Sequence, residues 1–242
     1  MIVGVVPLHT PEEVSKALDA LETPLVEAVE LRLDYIEGGV QEMLEAVKRA
    51  AELGILERSI VTVRAAWEGG AARLPDEERI GVLRAALDHG AMLVDLEVYT
   101  LERVAPDALE GLDWSRVLLS LHTPLEEYSD GLVEHLYGRA RALGAWGAKL
   151  AVRGGSPERL HTILYWALSE ASRLGVRAAV MPYGCCMGLR LALYASGSEI
   201  LYVCARRSIG GTAEGQPCLE EDTHRSLVEC ASRLRVALKA RG

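Results

Sequence analysis

The stretch Trp146-Gly147-Ala148-Lys149-Leu150-Ala151-Val152, running on through Arg153-Gly154-Gly155 into Ser156-Pro157-Glu158, holds one complete unit of the fold. The run over 145–152 is short, nearly all apolar and flanked by glycines, which predicts a strand buried on both faces. The glycine pair marks a turn. Serine, proline and glutamate in succession mark a helix start, and apolar spacing carries that helix over 157–174. A lone lysine at the centre of such a strand points into the interior of whatever the strand helps to build.

Working outward, the same strand-then-helix pattern recurs from one end of the chain to the other. Strands are predicted over 2–7, 28–33, 59–63, 92–97, 116–121, 145–152, 177–181 and 200–203. Helices are predicted over 11–22, 40–54, 76–89, 101–110, 125–143, 157–174, 186–195 and 219–238. Eight βα units in one series favour a (β/α)8 TIM barrel over an open doubly wound sheet. No linker or low-complexity stretch interrupts the series, so residues 1–242 are expected to form a single barrel domain.

Composition narrows the class. The chain has 242 residues, half of them apolar, and a formal net charge of −9. That balance argues against nucleic acid and anionic membrane as partners while permitting a locally basic pocket. The first residues lack the basic and apolar regions of a signal peptide, and no apolar run reaches membrane-spanning length, so a cytoplasmic protein is expected. Five cysteines, at 185, 186, 204, 218 and 230, show no paired zinc spacing and are expected as mostly reduced, partly buried thiols. Asparagine is absent and lysine occurs only at 16, 48, 149 and 239. Depleted amides fit a thermophile, and arginine-rich usage fits a GC-rich genome equally well.

A barrel places its chemistry at the C-terminal ends of its strands. Unusual polar residues fall there: Glu30, Arg32 and Asp34 on the second strand, Arg64 on the third with Glu68 on the following loop, Asp95 and Glu97 on the fourth, and His122 on the fifth. Each has an ordinary reading: an internal ion-pair network for Glu30, Arg32 and Asp34, a surface arginine for Arg64, a hydrogen-bonded structural residue for His122, and structural partners of the arginines for Asp95 and Glu97, where that reading is preferred. Lys149 has one too, as a paired or snorkelling ammonium. The alternative is a desolvated amine that forms a Schiff base with a ketone, next to a histidine that can take and give a proton. The pairing of Lys149 with His122 on neighbouring strands favours that chemistry. Near the C-terminus Met187-Gly188-Leu189-Arg190 follows the seventh strand, and the glycine-rich loop 210–216 follows the eighth, where barrels often clamp an anion with backbone amides.

Taken together, Glu30-Leu31-Arg32-Leu33-Asp34, Thr62-Val63-Arg64 with Glu68-Gly69-Gly70, Asp95-Leu96-Glu97, Ser120-Leu121-His122, Lys149-Leu150-Ala151, Arg190 with Gly197-Ser198, and Gly215-Gln216 resemble type I 3-dehydroquinate dehydratase. The resemblance implies a homodimeric (β/α)8 barrel of the shikimate pathway, with no metal and no organic cofactor, that eliminates water from 3-dehydroquinate to give 3-dehydroshikimate. It implies that Lys149 forms the Schiff base, that His122 acts as base and then acid, and that Glu68 is the histidine's carboxylate partner. It further implies that Arg64, Arg190 and Gln216 hold the substrate carboxylate and nearby hydroxyls, with Glu30 and Arg32 on the remaining ring hydroxyls and Thr212 supplying a hydroxyl on the last loop. This chain departs from the family pattern in three places: Thr123-Pro124 directly follow His122, Glu214 stands where proline is usual, and the segment 182–187 before Arg190 is different. Another Schiff-base barrel lyase or aldolase, or a barrel that only binds a small acid, is the alternative.

Overall fold

The computed structural model of the chain describes residues 1–211 and 213–240. Its strands are β1 (Ile2–Pro7), β2 (Ala28–Arg32), β3 (Ser59–Thr62), β4 (Leu93–Glu97), β5 (Val117–Pro124), β6 (Gly147–Arg153), β7 (Ala178–Tyr183) and β8 (Leu201–Val203). They form one parallel sheet in the order β7-β6-β5-β4-β3-β2-β1-β8. The helices are α1 (Lys16–Leu21), α2 (Val40–Glu52), α3 (Asp76–Asp88), α4 (Thr100–Arg103), α5 (Asp130–Leu143), α6 (Pro157–Leu174), α7 (Met187–Ala195) and α8 (Asp222–Lys239). This is the expected (β/α)8 barrel.

One seam differs from the others. Among the described residues no ladder joins β7 to β8, and the gap is closed by side chain and loop instead. The Ser198 hydroxyl accepts from the Val180 N–H at 2.9 Å and donates to the Val180 carbonyl at 3.2 Å. The Glu199 N–H donates to the Ala178 carbonyl at 2.8 Å.

Every strand is buried on both faces, as continuous apolar runs require of a parallel sheet under helices. Outward residues such as Leu31, Val61, Leu150 and Val203 pack beneath the helices. Inward residues Val3, Val5, Ala28, Ile60, Leu93 and Leu118 fill the floor of the barrel. Burying each such aliphatic side chain contributes roughly 1.5–3 kcal/mol. Above this apolar floor the inward positions turn polar, and lateral register aligns Glu97 with Ser120 and Ser120 with Lys149.

Two expectations are corrected. The helix expected over 101–110 stops at α4, followed by a separate 3-10 turn over Pro106–Leu109. Pro106 explains the break, since it has no N–H to donate and pushes Ala105 out of helical geometry to ψ 147°. The cysteines are not mostly free thiols: Cys185 is bonded to Cys186 and Cys204 to Cys218, which leaves Cys230 free and exposed. The loop after β8 doubles back so that Cys204 and Cys218 form an isolated parallel bridge, with Cα atoms 4.3 Å apart. Linear spacing does not reveal that return.

Candidate active site

The polar ends of the strands enclose a cavity of about 470 Å³ whose wall includes Glu30, Arg32, Arg64, Glu68, His122, Lys149, Arg190 and Gln216. All the described residues singled out from sequence for substrate or chemistry therefore converge on one space. Thr212 lies outside the described residues.

Lys149 stands at the inward-facing centre of β6 and is 5% exposed. Its Nζ donates to Asp95 Oδ2 at 2.9 Å and to Glu30 Oε1 at 3.4 Å. Glu30 in turn accepts from the Thr62 hydroxyl at 3.0 Å. The amine is thus tethered by a carboxylate on β2, across the barrel from its own strand, and by one on β4, two strands away. The ordinary reading of a buried lysine as an ion-pair member is correct as far as it goes, but the pair lies in the cavity wall.

His122 sits on β5, one strand away. Glu68 reaches it from the loop after β3, where a 3-10 turn over Ala66–Glu68 ends at Gly69 with φ 83°. At Gly70 a Cβ would run into the Arg64 carbonyl, so only glycine lets this loop fold back tightly. Glu68 Oε2 accepts from the His122 main-chain N–H at 2.9 Å and lies 2.8 Å from Nδ1. A proton held at Nδ1 leaves Nε2 as the basic nitrogen of the ring. Burial, reinforced by Arg64 and Lys149, holds His122 well below its ordinary value. Burial pushes the Glu68 carboxyl up to about 8, against the pull of Arg64 4.0 Å away. The site therefore resists charge on both partners, and the histidine remains neutral and able to accept a proton near neutral pH.

The arginines separate into two kinds. Arg64 is fully committed: Nη2 lies 2.6 Å from Asp95 Oδ2, and Nη1 donates to Glu97 at 2.8 Å and to the Ser120 hydroxyl at 2.7 Å. Burial alone would raise the Asp95 carboxyl, but Arg64 and Lys149 hold it well below the usual carboxylate range. Asp95 and Glu97 are thus structural partners of the arginines, as preferred from sequence, and Glu97 also binds Arg79 from α3. Arg32 spends Nε and Nη2 on Asp34, both at 2.8 Å.

Arg190, at the start of α7, is different. It is 3% exposed and its Nε has no hydrogen-bond partner among the described residues. Burial without a compensating anion lowers its guanidinium to about 10. A buried fork with no carboxylate partner is a ready receptor for an anionic ligand. Gln216 Oε1 is likewise buried and unpartnered among the described residues. Its loop is held against the β7 end, where the Gly184 N–H donates to the Glu214 carbonyl at 3.2 Å. A Cβ on Gly215 would strike the Cys185 carbonyl.

Several wall residues were not recognised from sequence: Trp67, Arg153, Met181, Tyr183 and Tyr202. Tyr183 packs edge-on to His122 with ring centroids 6.0 Å apart. Period-two alternation on β7 and β8 contained the signal for three of them, since Met181, Tyr183 and Tyr202 occupy inward positions. Among the described residues no group of three or more His, Cys, Asp or Glu side chains is placed to hold a metal ion.

A barrel with a buried lysine, a carboxylate-held histidine and an unpaired arginine around one cavity defines a site for a small anionic carbonyl compound. The chain belongs to the type I 3-dehydroquinase family, whose description matches residues 2–174. It is 29% identical over 239 aligned positions to the 3-dehydroquinate dehydratase of Pyrobaculum aerophilum, covering 83% of this chain and 75% of that one. The crystal structure of 3-dehydroquinate dehydratase from Geobacillus kaustophilus superposes with a TM-score of 0.79 at 22% identity, over 96% of this chain and 91% of that one. A deoxyribose phosphate aldolase from Aeropyrum pernix shares the fold more distantly, with a TM-score of 0.51 at 16% identity over 84% of each chain. Fold likeness alone does not distinguish these chemistries.

Proposed function

We propose that this chain eliminates water from 3-dehydroquinate to give 3-dehydroshikimate through a Schiff base on Lys149. The observation that carries the reading is the co-location, in one cavity, of the tethered Lys149 amine, the Glu68-held His122 and the unpaired Arg190. The substrate has one ketone, a hydroxyl that must leave and one carboxylate, and Lys149, His122 and Arg190 answer those needs in that order.

The unprotonated Nζ attacks the C3 ketone, and loss of water leaves an iminium. That positive nitrogen is an electron sink, so His122 Nε2 can remove a C2 proton and leave an enamine. The enamine pushes out the C1 hydroxyl as His122 returns the proton to it, and water then releases the product and Lys149. Arg190 is assigned the substrate carboxylate with Gln216 beside it, while Arg64, held by Asp95, Glu97 and Ser120, lends its positive charge to the cavity wall. Glu30 and the free nitrogen of Arg32 are assigned the remaining hydroxyls. Asp95 and Glu30, already bound to Nζ, balance the charge of the iminium.

We further infer a homodimer, for which the support is the exposed apolar residues Leu234, Val236 and Leu238 on α8. A cytoplasmic setting is inferred from the biosynthetic reaction. No helix among the described residues is long and apolar enough to cross a membrane. Two disulfides would be unusual in a reducing cytosol but occur inside hyperthermophiles, in line with the missing asparagine. Sedimentation of the purified protein checks the dimer.

The function is tested by following the conjugated enone of the product in ultraviolet absorbance after adding 3-dehydroquinate. Turnover is expected. No absorbance change, with activity instead on an aldol substrate from a panel of ketones and aldehydes, would remove the dehydratase reading.

A further inference from the structure

The centre of β8 carries a side chain that the reaction just described does not use. Leu201 and Val203 point outward under the helices, and Tyr202 between them points into the barrel. The strand is short, and its pairing with β1 sets Tyr202 beside Val3, at the boundary between the apolar floor and the charged layer. Tyr202 is 3% exposed and forms part of the cavity wall. Lys149 Nζ lies over its ring, 4.4 Å from the centroid. Its hydroxyl is buried with no hydrogen-bond partner among the described residues.

An ordinary core aromatic would place its ring against aliphatic side chains. This ring packs with the apolar floor and also faces the nitrogen that the proposed reaction cycles through ammonium, amine and iminium. The ammonium has three N–H groups to share between Asp95, Glu30 and their surroundings, but an iminium formed on Nζ keeps only one. It can donate to a single carboxylate while carrying the same positive charge. An aromatic face attracts a cation without needing any N–H, and a flat iminium can lie against it as a guanidinium does. The ring thus retains its interaction at the step where the hydrogen bonds are lost. Burial, with Glu30 and Asp95 nearby, pushes the hydroxyl well above its ordinary value, so the phenol stays neutral.

We propose that Tyr202 is a further catalytic residue, whose ring face stabilises the positive charge on the Lys149 nitrogen in the iminium. This rests on the Schiff-base reading of the site. It assigns the function to the π face and none to the hydroxyl.

The test compares Tyr202→Phe, which keeps the face, with Tyr202→Leu, which removes it. Each is measured for kcat, KM and the fraction of protein trapped by borohydride at saturating 3-dehydroquinate. The Phe variant is expected to keep kcat within about twofold, and the Leu variant to lose about tenfold or more in kcat with a much smaller change in KM and a smaller trapped fraction. Circular dichroism and thermal unfolding check that Tyr202→Leu folds, and Tyr202→Met replaces it if it does not. Unchanged kcat in the folded Leu or Met variant overturns the proposal, and so does a loss in the Phe variant equal to that in the Leu variant. Failure of the parent protein to turn over or to be trapped would instead sink the Schiff-base reading itself.

Discussion

Arg190 shows what one residue's surroundings reveal that its position in the sequence does not. Arg32 and Arg64 at strand ends and Arg190 in the helix after β7 look alike as arginines near the barrel mouth, and the family resemblance assigned all of them to the ligand. The structure shows the first two occupied by Asp34, Asp95 and Glu97, and of the three only Arg190 is buried without an anion among the described residues. A charge left unpaired in a dry site costs stability until a ligand arrives. Arg190→Leu is therefore expected to raise the thermal midpoint while raising KM for 3-dehydroquinate about 100-fold. A lower midpoint would show that the arginine stabilises the empty protein. His122 yields a second prediction at this scale. It must be neutral to take the C2 proton, and burial with two neighbouring cations disfavours its charged form, so it stays neutral below its ordinary value. The acid limb that His122 contributes to kcat/KM is expected well below pH 6.5. A midpoint at or above 6.5 would contradict this placement. Lys149 itself was legible because its strand is otherwise apolar, whereas Tyr202 was not, since nothing in the sequence says which residue lies over the amine.

Among the elements, the strands were the most legible part of the chain. Parallel strands covered by helices are apolar throughout, and all eight were found within a few residues of their true ends. Helix extents failed where local chemistry overrode periodicity, as at Pro106. What the sequence did not contain was how the last elements meet. The β7–β8 seam has no ladder, and Ser198 clips it with two bonds to Val180. Ser198→Ala leaves both main-chain groups unpaired and is expected to lower unfolding stability by about 1–3 kcal/mol, read from the guanidinium midpoint. No change would mean that the loops alone hold the seam. The cysteines next to this seam were misread because Cys204 and Cys218 meet only through the return of the β8 loop. Alkylation of the unfolded, unreduced protein is expected to label Cys230 alone, and prior reduction to expose all five cysteines of the sequence. Labelling of Cys204 or Cys218 without reductant would restore the reduced-thiol expectation.

At the scale of the whole molecule, the barrel converts a linear pattern into a layered interior. Its floor is apolar and supplies stability, and the layer above carries the charges that the floor could not tolerate. The alternation of strands and helices was enough to infer that arrangement, and the order of strand-end residues was enough to suggest the family. Neither contains the cross-barrel distances, such as the contact of Lys149 on β6 with Glu30 on β2 and Asp95 on β4. Those distances make the amine both held and reachable, and they make its role testable. The most direct measurement is borohydride reduction of the protein in the presence of 3-dehydroquinate, followed by mass analysis of the peptides. The expected result is a single reduced adduct on the peptide that carries Lys149, absent without substrate and absent in a folded Lys149→Ala variant that does not turn over. A fully active protein that gives no adduct, or carries it on Lys16, Lys48 or Lys239, would contradict the account.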